Sequence, residues 1–139
     1  MWKLSLLVAL ACALIGCGGN TSLTTQEQQL ALARSNWMAK KLRSYKFTLR
    51  KVCFCPEEYT RSVTITVQNG VPIDSPEHLR AYDTVEKTLD VIGEALNSKA
   101  DQVDMDFDVD GWPRSVFIDR SRAIADEEYG LAITDLVPL

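Results

Sequence analysis

Cys53-Phe54-Cys55 concentrates more reactive chemistry than any other stretch of the domain. Residues two apart on a strand point to the same face, so a strand here places both sulfurs together. Two strand residues advance by about 6.6 to 6.8 Å, at the long end of the Cα separation that a disulfide accepts. A bridge inside a regular strand is therefore strained. Pro56 offers relief, because it cannot donate a ladder hydrogen bond and lets the strand end or bend. A strained disulfide is easily reduced, the property that a thiol-redox role requires. Against it stands the lack of the Cys-x-x-Cys spacing at a helix start that depresses a thiol pKa.

Other candidate chemistries are weaker. A zinc site needs two ligands beside Cys53 and Cys55, and His78 is the chain's single histidine, so no metal is expected. His78 stands in Ser75-Pro76-Glu77-His78, where an exposed, solvated imidazole is the plain expectation, and no partnered nucleophile is singled out for a hydrolytic triad. Asp106-Phe107-Asp108-Val109-Asp110-Gly111 matches the start of a calcium loop, but its twelfth position is Phe117 instead of a bidentate Glu. The alternation through Phe107 and Val109 reads as a strand with aspartates on its wet face. No catalytic constellation and no cofactor site emerge, so the expectation is a protein that is not an enzyme.

The elements that would position these residues follow from periodicity. Thr24 or Thr25 caps a helix with Glu27 in its first turn, and Leu30, Ala33, Trp37 and Leu42 recur at helical spacing to about Ser44. Trp37 reads as a core anchor. Tyr45, Phe47 and Leu49, then Val63, Ile65 and Val67, alternate with polar residues as two half-buried strands. Asn69-Gly70 turns the chain into a short edge strand at Val71-Pro72-Ile73, and residues 74–82 form a loop. Asp83-Thr84-Val85-Glu86 has a capping pattern with Asp83 as the cap, opening a helix to about Asn97. A hairpin follows through Asp110-Gly111-Trp112-Pro113, and a last strand near 131–137 closes the sheet. The class is α+β: an antiparallel sheet of five or six strands with two helices packed on one face.

A short basic start and an apolar run from Leu4 to Leu14 have the build of an export signal. The run is too short to span a bilayer, which takes about 17 to 25 apolar residues. Leu14-Ile15-Gly16-Cys17 resembles the lipobox of bacterial lipoproteins. That resemblance implies cleavage before Cys17 and acylation of Cys17, hence a signal at 1–16, a flexible Gly/Asn/Thr/Ser tether at 17–23 and one domain at 24–139. Gly18 after the acylated residue, where Asp would retain the protein inside, favours the outer membrane facing the periplasm if the organism has two membranes. Cys12 then leaves with the signal and Cys17 carries lipid, so Cys53 and Cys55 are the remaining thiols, in a disulfide-permissive compartment. Pairing with each other is the expectation; pairing between molecules, or staying reduced, are the alternatives.

The net charge of -4, one unit more negative once Lys3 leaves, argues against a nucleic-acid partner. Basic residues from Arg34 to Lys51 crowd the first half and acidic residues from Asp101 to Glu128 the second. Solvated faces on a dipolar domain account for this, with a basic side facing anionic headgroups as the sharper alternative.

Tyr45-x-Phe47 leading to Cys53-x-Cys55, the strand ending Asn69-Gly70, Asp108-x-x-Gly111-Trp112-Pro113, Ile118-Asp119 and Asp126-Glu127-Glu128 together resemble a family of bacterial lipoprotein domains of unknown function, over about residues 36–133. The resemblance implies a small α+β envelope domain with no activity to carry over. The functional expectation is a lipid-anchored envelope protein, tied to the membrane through Cys17, that binds an envelope partner or serves a structural role. A thiol-redox protein acting through Cys53 and Cys55 is the alternative.

Overall fold

Thr24 opens the first helix with a reciprocal cap: its hydroxyl accepts from Glu27 N–H at 3.2 Å, and the Glu27 carboxylate accepts from Thr24 N–H at 2.6 Å. The computed structural model describes residues 22–139. The signal at 1–16, Cys17 and most of the 17–23 tether therefore lie outside the described residues. Helix α1 (Thr25–Lys40) buries Leu30, Ala33 and Trp37 along one stripe. It ends at Lys40, short of the expected Ser44, because Lys41 adopts the left-handed conformation at φ 52°. Leu42 still packs against the core, which is why its spacing mimics another helical turn.

Six strands form one antiparallel sheet: β1 (Tyr45–Cys53), β2 (Val63–Gln68), β3 (Val71–Pro72), β4 (Gln102–Phe107), β5 (Pro113–Asp119) and β6 (Tyr129–Pro138). Their spatial order is β3-β2-β1-β6-β5-β4. The last strand thus enters the middle of the sheet and does not close its edge, joining the β1–β2 unit to the β4–β5 hairpin. Asn69 and Gly70, at φ 52° and 82°, supply the two positive-φ residues of a tight hairpin turn.

Helix α2 (Val85–Asn97) carries the chain from the β3 edge to the β4 edge across one face of the sheet. Its cap is Thr84, whose hydroxyl accepts from Lys87 N–H at 3.1 Å; the expected cap, Asp83, is buried and holds the Lys87 ammonium at 2.6 Å. Glu86 does not complete a capping box. It accepts from Trp37 Nε1 at 2.7 Å and from the Tyr45 hydroxyl at 3.2 Å, so two core side chains draw it away from the backbone.

The core lies between the helices and the sheet. Tyr45, Phe47 and Leu49 of β1, Ile65 and Val67 of β2, Ile118 of β5 and Ile133 of β6 pack against Leu89 and Ile92 of α2, all buried. On the other face Lys46, Arg50 and Thr64 are exposed. This is the α+β arrangement that the period-2 and period-3.6 patterns specify. The β4–β5 turn docks on α1: a Cβ at Gly111, φ +90°, would lie 2.1 Å from the Ala33 carbonyl oxygen, so only glycine fits. β4 stops at Phe107, and Val109, expected to continue the strand, is exposed in that turn. Among the described residues no helix is long and apolar enough to cross a membrane.

Candidate functional site

The inward positions of β1 run Tyr45, Phe47, Leu49, Lys51, Cys53, and the character of the strand changes after the third. β2 accompanies β1 only as far as the Leu49–Val63 pair, while β6 continues beside it to Cys53. Beyond Leu49 the strand therefore leaves the apolar core and enters a cleft of about 400 Å³ lined by Lys51, Cys53, Cys55, Tyr59, Glu77 and His78. Its walls are the end of β1, the 54–62 connection and the segment between β3 and α2.

The sulfurs of Cys53 and Cys55 lie at disulfide distance, with their Cα atoms 5.3 Å apart. This is closer than a regular strand allows, because β1 ends at Cys53 and the chain bends through Phe54 and Cys55 before Pro56. The bend turns Phe54 out to 82% exposure and keeps both sulfurs on the cleft side. Closing so short a loop restrains the unfolded chain by only about 1.5 kcal/mol in the chain-entropy picture, so the pair shapes the cleft more than it holds the fold.

Lys51 extends its ammonium over two aromatic faces, 5.1 Å from the Tyr129 ring centre and 5.4 Å from that of Tyr82. Burial, then the adjacent Tyr129, pushes the Tyr82 hydroxyl well above the ordinary tyrosine range, so the Tyr82 ring stays neutral beneath the ammonium. Lys51 forms no ion pair among the described residues, and neither does Glu77. Two unpaired charges of opposite sign thus line one cleft.

His78 is not the solvated imidazole expected from its loop-like context. The short turn Glu77–Leu79 buries Leu79 completely and draws the preceding ring against Tyr59, edge to face at 4.9 Å between centres. His78 Nε2 is buried without a hydrogen-bond partner. The structure thus brings His78 together with Cys53 and Cys55, three residues that the sequence considers separately.

The aspartates of the β4–β5 turn have other occupations. Asp106 takes a two-pronged contact from Arg114 at 2.9 and 3.1 Å, Asp108 accepts from Asp110 N–H, and Asp110 pairs with Lys40 at 3.1 Å. Among the described residues no group of three or more His, Cys, Asp or Glu is placed to hold a metal ion. Lys40–Asp110 and Arg34–Asp90 also tie the basic first half to carboxylates of the second, which tempers the dipolar picture drawn from charge order.

Lys51, Tyr59 and Glu77 escape the sequence reading as site residues. For Lys51 a signal exists: it is a cation at an inward position of an alternating strand, two residues before a cysteine on the same face. Tyr59 and Glu77 carry no comparable signal, since each reaches the cleft through an irregular segment. A model of DUF6174, a family of unknown function, matches residues 29–138 of the chain. No curated protein and no solved structure matches it.

Proposed function

The chain belongs to DUF6174, a family of unknown function, and on that premise we propose that it is a non-enzymatic binding domain of the bacterial envelope. Acyl chains on Cys17 tether it and the Lys51–His78 cleft does the binding. The cleft carries the reading: a concave site of about 400 Å³ in which aromatic rings and a disulfide surround a few unpaired polar groups has the size and make-up of a ligand site. Support for the tether is the Leu14-Ile15-Gly16-Cys17 sequence. The residues between Cys17 and α1 reach at most about 25 Å, which keeps the domain near the bilayer. One acyl chain binds at about 10⁴ M⁻¹ and two give stable attachment, so several chains make release negligible. Outer-membrane attachment facing the periplasm is the placement we favour in an organism with two membranes.

In-envelope crosslinking and pull-down under non-reducing conditions test the binding claim, with wild type compared against a Cys53→Ser, Cys55→Ser variant. A partner retained by both forms supports binding independent of thiol chemistry. Loss of every partner from the wild-type pull-down contradicts it. Cys17→Ser tests the tether, and a variant that still fractionates with membranes refutes it.

A second reading, thiol exchange with a dithiol partner, is favoured by one observation: both sulfurs line the cleft. A partner thiolate would attack one sulfur and break the Cys53–Cys55 bond to form a mixed disulfide. The partner's second thiol would then displace it, leaving the partner oxidised and the pair reduced. Alkylation before and after mild reductant decides. A pair that opens only under strong reductant counts against cycling.

A further inference from the structure

We infer that the cleft recognises a small zwitterion: an amino-carboxylate compound with an apolar side group, of the size of a single amino acid. The inference rests on the binding reading and deepens it by naming the ligand class.

Lys51 is the anion-binding element. Its ammonium is oriented by the faces of Tyr82 and Tyr129, which accept its charge without neutralising it, and it lacks a carboxylate partner among the described residues. A ligand carboxylate meets a cation whose position is already fixed, so little side-chain entropy is lost on binding. Glu77 supplies the opposite charge on the same cleft and is likewise without an ion-pair partner. If these two side chains served each other they would close as a salt bridge, yet they stand beyond that distance. Tyr59, the His78 ring packed against it and the Cys53–Cys55 pair offer apolar surface for the side group. A doubly anionic ligand would meet Glu77 and a doubly cationic one would meet Lys51, so the arrangement selects a compound carrying one charge of each sign.

Three probes of nearly equal shape test this by NMR titration of the domain with its disulfide intact: phenylalanine, N-acetylphenylalanine, which lacks the amine charge, and phenylalanine amide, which lacks the carboxylate. Phenylalanine should give saturable shifts at Lys51, Tyr59 and His78, and each blocked probe should bind about tenfold more weakly or worse, the scale of one charge-assisted hydrogen bond. Lys51→Met should abolish the preference for the free carboxylate and Lys51→Arg should restore it; Glu77→Gln should abolish the preference for the free amine. Met keeps the aliphatic stem over the tyrosine rings, and the Arg rescue guards against a folding artefact. Equal binding of all three probes, or Lys51→Met binding phenylalanine as tightly as wild type, overturns the zwitterion assignment. So does the absence of any shift, while a partner still captured through the cleft in the envelope keeps the binding reading itself standing.

Discussion

The indole Nε1 of Trp37 donates to Glu86 Oε1 at 2.7 Å, fastening the end of α1 to the first turn of α2 above the sheet. The other oxygen of Glu86 takes the Tyr45 hydroxyl at 3.2 Å, and the Trp37 and Tyr45 rings meet edge to face at 5.2 Å. Glu86→Ala leaves an indole N–H and a phenol without this acceptor. It should cost about 1 to 3 kcal/mol in urea unfolding, and Glu86→Gln should recover part of that. A loss within experimental error for Glu86→Ala would show that the contact does not fasten the helices.

Gly111 and Gly70 both sit at positive φ, but their surroundings differ. A Cβ on Gly111 would strike the Ala33 carbonyl, whereas on Gly70 it would meet nothing closer than the end of the Arg43 side chain at 3.7 Å. Gly111→Ala should therefore destabilise by about 3 kcal/mol or more, combining backbone strain with a forced shift of α1. Gly70→Ala should cost only the strain, about 1 kcal/mol. Equal Tm losses for the two variants would contradict the docking of the turn on the helix.

How far the sequence reaches is set by where regular periodicity stops. The buried stripe of α1 and the inward residues of β1, β2, β5 and β6 are legible because each repeats over several turns or pleats. The sheet order is not, since the last strand is read only as closing the sheet, and its long-range pairing with β1 and β5 is what places it centrally. The site is half legible. Cys53 and Cys55 announce themselves by spacing, and His78 is noticed but placed in solvent. Its half-buried position depends on Leu79 anchoring an irregular segment, a tertiary effect with no local pattern. The same holds for Glu86, whose capping motif is overridden by two distant aromatic donors.

Glu27 provides a pH test of the α1 cap. Its hydrogen bonds with the Thr24 backbone, then with the Thr24 side chain, hold its carboxyl below the ordinary value of 4.5. A carboxyl lowered on folding contributes stability that is complete above its unfolded pKa and is lost as pH falls through the folded value. NMR titration should place the Glu27 midpoint below the ordinary carboxylate range, and Thr24→Ala should move it part of the way back. An unshifted midpoint in the wild type would contradict the capping box.

Removing the Cys53–Cys55 pair should be mild for the fold and marked for the cleft. The double serine variant is expected to lose about 1.5 kcal/mol at most from loop closure. The Tyr59 and His78 ring resonances should nevertheless shift, because Cys55 begins the segment that carries Tyr59 against His78. A large stability loss with unchanged ring shifts would reverse that assignment and make the bridge a device of the fold.

The most direct test of the account is site-specific photocrosslinking in living cells, with a photoreactive residue at Tyr59 in the cleft and, in a second strain, at Thr66 on the open face of the sheet. The account predicts a discrete adduct from position 59 in the membrane fraction, weakened by excess phenylalanine, and none from position 66. Adducts from position 66 alone, or none from position 59, would contradict the claim that this protein works through its cleft.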